Sequence, residues 1–349
     1  IGRRFCEDTS IVLLLIVFTH NLVPETTSIS LMQEDEVVPV PGAPLFPWLQ
    51  KPRALARARW EGMESVARGA ALVSAGSLTL VVMATLVKYL GSRIPSIEIL
   101  FFRSLIGFFF VLPLFFRSPF EALRTKRPGM HLLRGATGAV GNACFFWTIT
   151  HMLLADSMAL QFSRPLFMIP LALMFLGEIA GWRRSMVAIV GFLGILLYAR
   201  PFTAGFEPGA FVGATGALFG GLVVICIKRL QTTEPTRVIM FYYAFWNALF
   251  ALIPTVLLWV TPTWPELALL AVVGFLGISG QTMITHGLSQ GDATVLAPLD
   301  YSRIIYSAAL GYLLFGEMPG PWSFAGMALI VASSLYLVLT EKKRKIVRP

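Results

Sequence analysis

The stretch LADSMALQFSRPLFMIPLALMFLGE, residues 154–178, and its later counterpart ATVLAPLDYSRIIYSAALGYLLFGE, residues 293–317, decide how the chain folds. Both are long apolar runs that end in Gly-Glu, and each has a Ser-Arg pair preceded by an aromatic residue. The Phe-Ser-Arg of residues 162–164 recurs 139 positions later as the Tyr-Ser-Arg of residues 301–303. Self-similarity at a fixed offset is the signature of an internal repeat.

The repeat extends well beyond the two Ser-Arg pairs. The same offset aligns three glycines and an amide residue of each half, namely Gly135, Gly138, Gly141 and Asn142 with Gly274, Gly277, Gly280 and Gln281. An offset of 140 aligns Lys88 with Lys228. The second half of the chain therefore repeats the first, and each half carries an arginine inside an apolar segment.

The composition is typical of a protein that crosses a membrane many times. Of the 349 residues, 56% are hydrophobic and 13% are charged, whereas soluble domains average about 25% charged residues. The formal net charge of +9 does not indicate a nucleic-acid partner, because the basic residues flank apolar spans. The three cysteines have no disulfide or metal spacing, and we expect neither a metal nor another cofactor.

Ten apolar runs follow one another from residue 66 onwards, and most are long enough to cross a bilayer about 30 Å thick as a helix. They cover residues 66–90, 96–116, 131–151, 155–176, 184–199, 207–228, 237–260, 264–287, 292–315 and 321–339. The sequence therefore predicts an all-α integral membrane protein with ten transmembrane helices. We divide these residues into a first repeat at 63–200, a second repeat at 201–340 and a basic cytoplasmic tail at 341–349.

The distribution of lysine and arginine predicts the orientation. With the N-terminal end inside, twenty basic residues lie on the cytoplasmic side, Arg134 among them, against three on the opposite side: Lys88, Arg93 and Arg200. Loops rich in lysine and arginine stay in the cytoplasm. We therefore expect both termini to be cytoplasmic, and we expect a bacterial inner membrane.

Residues 1–62 differ from the rest of the chain. Their one apolar run, residues 11–18, is too short to span a bilayer, and five prolines between positions 39 and 52 disfavour regular structure. Glu7 and Asp8 stand where a secretory signal has basic residues. We expect a disordered tail or, alternatively, an over-extended translation start that precedes Met63.

Each repeat holds five spans, and this odd number has a topological consequence. Two such units must cross the membrane in opposite senses, related by a pseudo-two-fold axis in the membrane plane. Inverted repeats of this kind are a recurrent plan of secondary transporters, whose substrate site lies near the midplane. Arg164 and Arg303 lie nine and eleven residues into their spans, roughly 14–17 Å deep at about 1.5 Å per residue.

Several stretches resemble one family of transporters. Residues 81–103 (VVMATLVKYLGSRIPSIEILFFR), together with the two Ser-Arg runs and their Gly-Glu ends, are similar to the EamA type of the drug/metabolite transporter superfamily. The resemblance covers about residues 66–339. It implies two inverted five-helix halves around a central cavity lined chiefly by the first, third, fourth, sixth, eighth and ninth helices. Distant relatives that carry phosphorylated sugars hold the phosphate with basic residues on the fourth and ninth helices, where Arg164 and Arg303 stand.

The two arginines are candidate substrate ligands on physical grounds as well. A charged residue at the centre of a transmembrane helix costs about 2.5–3.5 kcal/mol and needs a wet cavity or a partner. A guanidinium can clamp a carboxylate or a phosphate bidentately. For Arg303 an internal ion pair is the alternative, since Asp300 lies at i−3. Arg164 has no acid one turn away, which favours a substrate contact.

Four other polar residues in the apolar spans are candidate substrate ligands, and each also has a structural interpretation. Asn142 and Gln281 could bind substrate through their amides or bond to a neighbouring helix. Ser163 and Ser302 could donate to the same ligand or to their own helix backbone. Three acids, Glu98, Asp156 and Glu317, lie towards the ends of their spans, where they could cap helices or reach water.

The sequence thus predicts a secondary transporter that moves a small, anionic or zwitterionic metabolite by alternating access around a midplane cavity. A membrane-embedded enzyme or lipid-modifying protein is the alternative, but such an enzyme needs a cluster of His, Asp or Glu that the sequence lacks, so we expect no enzyme. The expected partners are a small-molecule substrate and the lipid bilayer, with a homodimer left open and no nucleic acid.

Overall fold

The computed structural model describes residues 64–111, 125–176, 182–200, 207–234, 236–290 and 296–345. The predicted tail at 1–62 lies outside these ranges. In the described residues all regular structure is helical, with no strand, which confirms the all-α prediction.

Six helices form the first half of the described chain. They are α1 (Ser65–Leu90), α2 (Ser96–Val111), α3 (Pro128–His151), α4 (Leu154–Gln161), α5 (Arg164–Leu176) and α6 (Trp182–Ala199). α4 and α5 together occupy the fourth predicted span.

The second half follows the same order. It comprises α7 (Gly209–Leu230), α8 (Thr236–Leu257), α9 (Trp264–Ser289), a short 3₁₀ helix (Ala297–Tyr301), α10 (Ser302–Phe315) and α11 (Pro321–Lys345). The 3₁₀ helix and α10 occupy the ninth predicted span, and α11 continues five residues into the predicted basic tail. The helices therefore follow the order of the ten predicted spans.

Several of these helices suit a bilayer by length and composition. Among the described residues, five segments are long and apolar enough to cross a membrane: Ser65–Leu90, Leu154–Phe175, Gly209–Leu230, Val238–Leu257 and Trp264–Ser289. Two shorter apolar helices, Ser185–Ala199 and Pro321–Tyr336, accompany them. Because many large apolar side chains on these helices are exposed, the surface of the bundle suits a lipid environment.

The two halves pack through glycines that let helix backbones approach closely. A Cβ atom on Gly76 of α1 would lie 2.8 Å from the carbonyl oxygen of Gly280 in α9. One on Gly141 of α3 would lie 3.4 Å from that of Gly216 in α7. Small residues at helix crossings are a general feature of membrane bundles. These glycines thus serve close packing of the helices.

The fourth and ninth spans are interrupted at their Ser-Arg pairs, whereas the sequence analysis treats both as continuous. α4 ends at Gln161, and Leu166 N–H then donates to Ser163 O at 2.9 Å in a three-residue turn. Pro165 explains the break, because proline lacks an N–H and suits the first turn of a new helix. In the second half, Pro298 lies in the 3₁₀ helix before α10. Phe162 and Ser302 keep helical backbone dihedrals, so each span changes its helical hydrogen bonding at the Ser-Arg pair.

Candidate functional site

The two interrupted spans meet beside their Ser-Arg pairs. The ring of Phe162 stacks on the ring of Tyr301, with centroids 4.3 Å apart and an interplanar angle of 19°. These aromatic residues immediately precede the two Ser-Arg pairs. The structure therefore brings the two copies of the repeated motif side by side, although 139 residues separate them.

Arg164 opens α5, and its guanidinium lies against α7. A Cβ atom on Gly220 would lie 2.5 Å from the Nε atom of Arg164 and 3.0 Å from its Cζ atom. The absence of a side chain at Gly220 thus provides the space that the guanidinium occupies. The Nε atom is buried, and none of the described residues gives the Arg164 side chain a hydrogen bond or an ion pair. Arg164 is therefore a charge without a partner in the described part of the interior.

Arg303, in contrast, has an acidic partner. Its Nη2 atom lies 2.6 Å from Oδ1 of Asp300, one turn earlier. The same carboxylate oxygen accepts a hydrogen bond of 2.7 Å from the hydroxyl of Ser77 on α1. The guanidinium also stands 6.0 Å from the centre of the Phe162 ring. The structure therefore contains the internal ion pair that the i−3 spacing indicates, and Asp300 links α1 to the ninth span.

The two serines of the repeated motif differ in their hydrogen bonds. Ser163 is fully buried, and its hydroxyl donates to Leu160 O at 2.6 Å, so it is bonded to its own backbone. The Ser302 hydroxyl is buried and has no hydrogen-bond partner among the described residues. Of the two, Ser302 has the hydroxyl that remains available to a ligand.

The two amide residues also differ. Asn142 on α3 donates from Nδ2 to the Tyr243 hydroxyl and to Oδ1 of Asn247 on α8, both at 2.9 Å. It therefore makes the bond between helices that is the alternative to substrate binding. Gln281 on α9 is exposed, and no such bond joins it to another helix in the described residues. Of these two equivalent positions, Asn142 is thus hydrogen-bonded to another helix, whereas Gln281 makes no such bond in the described residues.

Arg134, which the sequence analysis counts among the basic residues of the cytoplasmic side, is held inside the bundle. It lies in α3 and is only 6% exposed. Its guanidinium stands 4.2 Å from the centre of the Tyr243 ring and donates to Ile239 O at 3.3 Å. An aromatic face and a backbone carbonyl stabilise the buried charge, so this arginine is a packed residue of the bundle.

Arg103 is a further interior arginine that the sequence analysis does not single out. It lies in α2, with its Nε atom buried and without a hydrogen-bond partner among the described residues. Its guanidinium stands 5.7 Å from the centre of the Phe146 ring. The signal was present in the sequence, because residues 99–110 are otherwise apolar except for Ser104 and Gly107. Arg103 therefore belongs with Arg164 as a charge that the described residues leave unpaired.

The three acids near helix ends make distinct contacts. Glu317 pairs with Lys88 at the end of α1 and accepts the Leu154 N–H at 2.8 Å. This places one ion pair across the ends of α1 and α10 and the start of α4. Glu98 is fully buried and accepts the Val260 N–H, between α8 and α9, at 3.1 Å, so it neither caps a helix there nor reaches water. Asp156 is only 1% exposed and accepts the Tyr198 hydroxyl at 2.9 Å, so it does not reach water.

Comparison with known proteins gives a family match over both halves. The model of the EamA-like transporter family matches residues 67–200 and again residues 207–339. A solved crystal structure that is 19% identical superposes with a TM-score of 0.50, covering 78% of this chain and 98% of its own. That superposition bears on the fold alone.

Three curated proteins show how varied the cargo of similar chains is. An S-adenosylmethionine uptake transporter of Rickettsia felis is 32% identical, over 73% of this chain and 87% of its own length. A pseudopaline exporter of Pseudomonas aeruginosa is 33% identical, over 78% and 97%. A riboflavin transporter of Rhizobium johnstonii is 27% identical, over 72% and 83%. Each is a transporter of a different small molecule.

Proposed function

Because the chain belongs to the EamA-like transporter family, we propose that it is a secondary transporter of a small anionic or zwitterionic metabolite. The similar proteins carry out uptake in one case and export in another, so the direction of transport does not follow from the family. The chemistry of the cargo is instead argued from the interior of the bundle. The observation that carries the proposal is the unpaired guanidinium of Arg164.

The energetic argument for Arg164 concerns charge in a low-dielectric region. Placing an arginine at the middle of a span costs about 2.5–3.5 kcal/mol, and Arg164 has no acidic or hydrogen-bonding partner among the described residues. A charge retained at that cost needs a compensating anion during the transport cycle. A carboxylate or phosphate can accept two parallel hydrogen bonds from the guanidinium fork, which supports an acidic group on the cargo.

The charged residues near Arg164 leave its positive charge unbalanced. Arg303 and Asp300 are close enough to interact electrostatically with Arg164, and they form an ion pair of their own. Because Asp300 is committed to Arg303 and Ser77, its charge is largely balanced. The local excess of positive charge therefore remains at Arg164, where an anionic group of the cargo would bind.

We propose that transport occurs by alternating access between the two halves. The proposed substrate region lies where the interrupted spans meet, and the ion pair of Lys88 with Glu317 joins helix ends at one end of the bundle. We propose that this end opens when the pair separates, while the opposite end closes. The basic asymmetry of the sequence favours cytoplasmic termini in a bacterial inner membrane, which would place the Lys88 end outside. The lipid bilayer and the cargo are the proposed partners, and a homodimer stays a prediction.

A binding screen tests the proposed cargo class. The purified chain in neutral detergent is heated with pairs of metabolites that differ only in carrying a carboxylate or its amide. We expect the carboxylate member to raise the melting temperature, because a ligand that binds only the folded state stabilises it. S-adenosylmethionine, which has a carboxylate, and riboflavin, which has none, are included. Equal stabilisation of the parent and Arg164→Gln by every binding compound would refute the anionic-cargo proposal.

A further inference from the structure

Two helix crossings related by the repeat differ in one informative way. In the first half, a Cβ atom on Gly138 of α3 would lie 2.8 Å from a ring carbon of Tyr243 on α8. In the second half, a Cβ atom on Gly277 of α9 would lie 2.9 Å from the Nε atom of Arg103 on α2. Gly138 and Gly277 are equivalent by the offset of 139, and Arg103 and Tyr243 by the offset of 140. Each glycine thus makes room for a large polar side chain.

The crossing of α3 with α8 is closed. Asn142 donates to the Tyr243 hydroxyl and to Asn247, both at 2.9 Å, and Asn247 donates in turn to Tyr243 O at 3.0 Å. Asn247 is 2% exposed. The polar groups of this crossing therefore satisfy one another.

The equivalent crossing of α2 with α9 is open. Gly107 occupies the position equivalent to Asn247, and a Cβ atom there would meet nothing within 4 Å. Gln281 occupies the position of Asn142, one turn beyond Gly277, and is exposed. Since residues at i and i+4 share a helix face, Gln281 lies on the same face as Gly277, against which Arg103 packs. The missing side chain at Gly107 therefore leaves open space one turn from Arg103 on the same helix.

Arg103 has no balancing charge in the described residues. The ion pairs found there involve other cations, and the contact of Arg103 with Phe146 is a cation–π contact. Its Nε atom is buried without a hydrogen-bond partner in those ranges. Both Arg103 and Arg164 are close enough to interact electrostatically with Tyr243. An anion in this space would satisfy the guanidinium bidentately.

We propose that Arg103, assisted by Gln281, forms a second anion-binding subsite, and that the cargo therefore carries two acidic groups. Arg164 holds one group and Arg103 the other. This inference rests on the proposed transport function and narrows the cargo from an acid in general to a diacid, with or without additional basic groups. It assigns the space at Gly107 to the ligand, because the equivalent space in the first half is filled by Asn247.

The test compares diacids with their monoamides, which match them in size but carry one negative charge fewer. Binding of linear α,ω-dicarboxylates of four to eight carbons to the purified full chain is measured at constant ionic strength by thermal shift. We expect the best diacid to bind about 10-fold more tightly than its monoamide, the factor for losing one hydrogen bond to a charged group. Arg103→Gln should bring the diacid to the affinity of the monoamide, and Arg103→Lys should restore part of the preference.

Arg134→Gln is the matched control for loss of a buried arginine. Because Arg134 is held by the Tyr243 ring and by Ile239 O, its removal should keep the preference for the diacid. If Arg103→Gln does not fold, Gly107→Leu is tested in its place, since a Cβ atom at this position meets nothing within 4 Å and the leucine side chain would occupy the proposed subsite. Loss of the diacid preference in that variant supports the proposal.

Two results would overturn the diacid proposal. One is that no diacid binds the parent more tightly than its monoamide does. The other is an unchanged diacid preference in Arg103→Gln or, if that variant does not fold, in Gly107→Leu. A failure of the anionic-cargo proposal gives a different result. In that case Arg164→Gln would bind both diacids and monoamides as tightly as the parent does.

Discussion

Replacing Arg164 by glutamine removes the central charge while keeping much of the side-chain length and some hydrogen-bonding capacity. The described residues give the guanidinium no partner, so no acidic group is stranded and the fold should be retained. A hydrogen bond to a charged group contributes about 1.5–3 kcal/mol. Loss of that contribution should weaken binding of the cargo about 10- to 150-fold.

A second variant tests the position of the same guanidinium without removing it. In Gly220→Ala the new Cβ atom would lie 2.5 Å from Nε and 3.0 Å from Cζ of Arg164, so the guanidinium must move. Because this is the end of a flexible side chain, the cost to folding should be small. We expect weaker binding than in the parent but tighter binding than in Arg164→Gln. Gly129→Ala, where a Cβ atom meets nothing within 4 Å, is the control.

The assay is ligand-induced thermal stabilisation, converted to a dissociation constant, for the best acidic compound from the screen. The melting temperature without ligand reports folding separately. If Arg164→Gln binds the compound as tightly as the parent does, the clamp reasoning is refuted. If Arg164→Gln is poorly folded, an acid from outside the described residues must pair with Arg164, and the argument from an unpaired charge fails.

Three further predictions follow from other contacts. Arg303→Gln should lower the free energy of unfolding by about 1–3 kcal/mol, measured by chemical denaturation, because it leaves Asp300 without its cation. Adding Asp300→Asn should restore part of the lost stability. Equal stability of Arg303→Gln and the parent would contradict this prediction. Gly76→Leu should abolish folded protein in size-exclusion chromatography, since its Cβ atom meets the backbone of Gly280 at 2.8 Å, whereas Gly129→Leu should not. Reporter fusions after Arg348 and within residues 118–130 should both read cytoplasmic, and an external signal from either would overturn the proposed orientation.

Much of the architecture could be predicted from sequence because the apolar runs and the repeat are patterns of the amino-acid sequence itself. The offset of 139 predicts that the Phe162 and Tyr301 positions are equivalent, and their rings stack in the structure. The i−3 spacing likewise indicates the pair of Asp300 with Arg303. Both features depend on residues close in sequence or related by the repeat.

What the sequence could not predict depends on contacts between distant segments. Hydropathy does not show which groups a basic residue contacts, so the packing of Arg134 on the Tyr243 ring is not predicted by the sequence. Asn142 donates hydrogen bonds to Tyr243 and Asn247, which lie 101 and 105 positions later in the sequence. The packing of Arg103 against α9 depends on the missing side chain at Gly277, which no local pattern encodes.

Uptake into proteoliposomes tests the central claim most directly. The parent, Arg164→Lys and Arg164→Gln are reconstituted at equal density, and entry of the best acidic compound is followed together with its chemical integrity. We predict that the parent moves the intact compound, that Arg164→Lys retains part of the rate because the charge remains, and that Arg164→Gln loses at least about 90% of it. Equal rates in the parent and Arg164→Gln, or chemical conversion of the compound in place of its movement, would contradict the account.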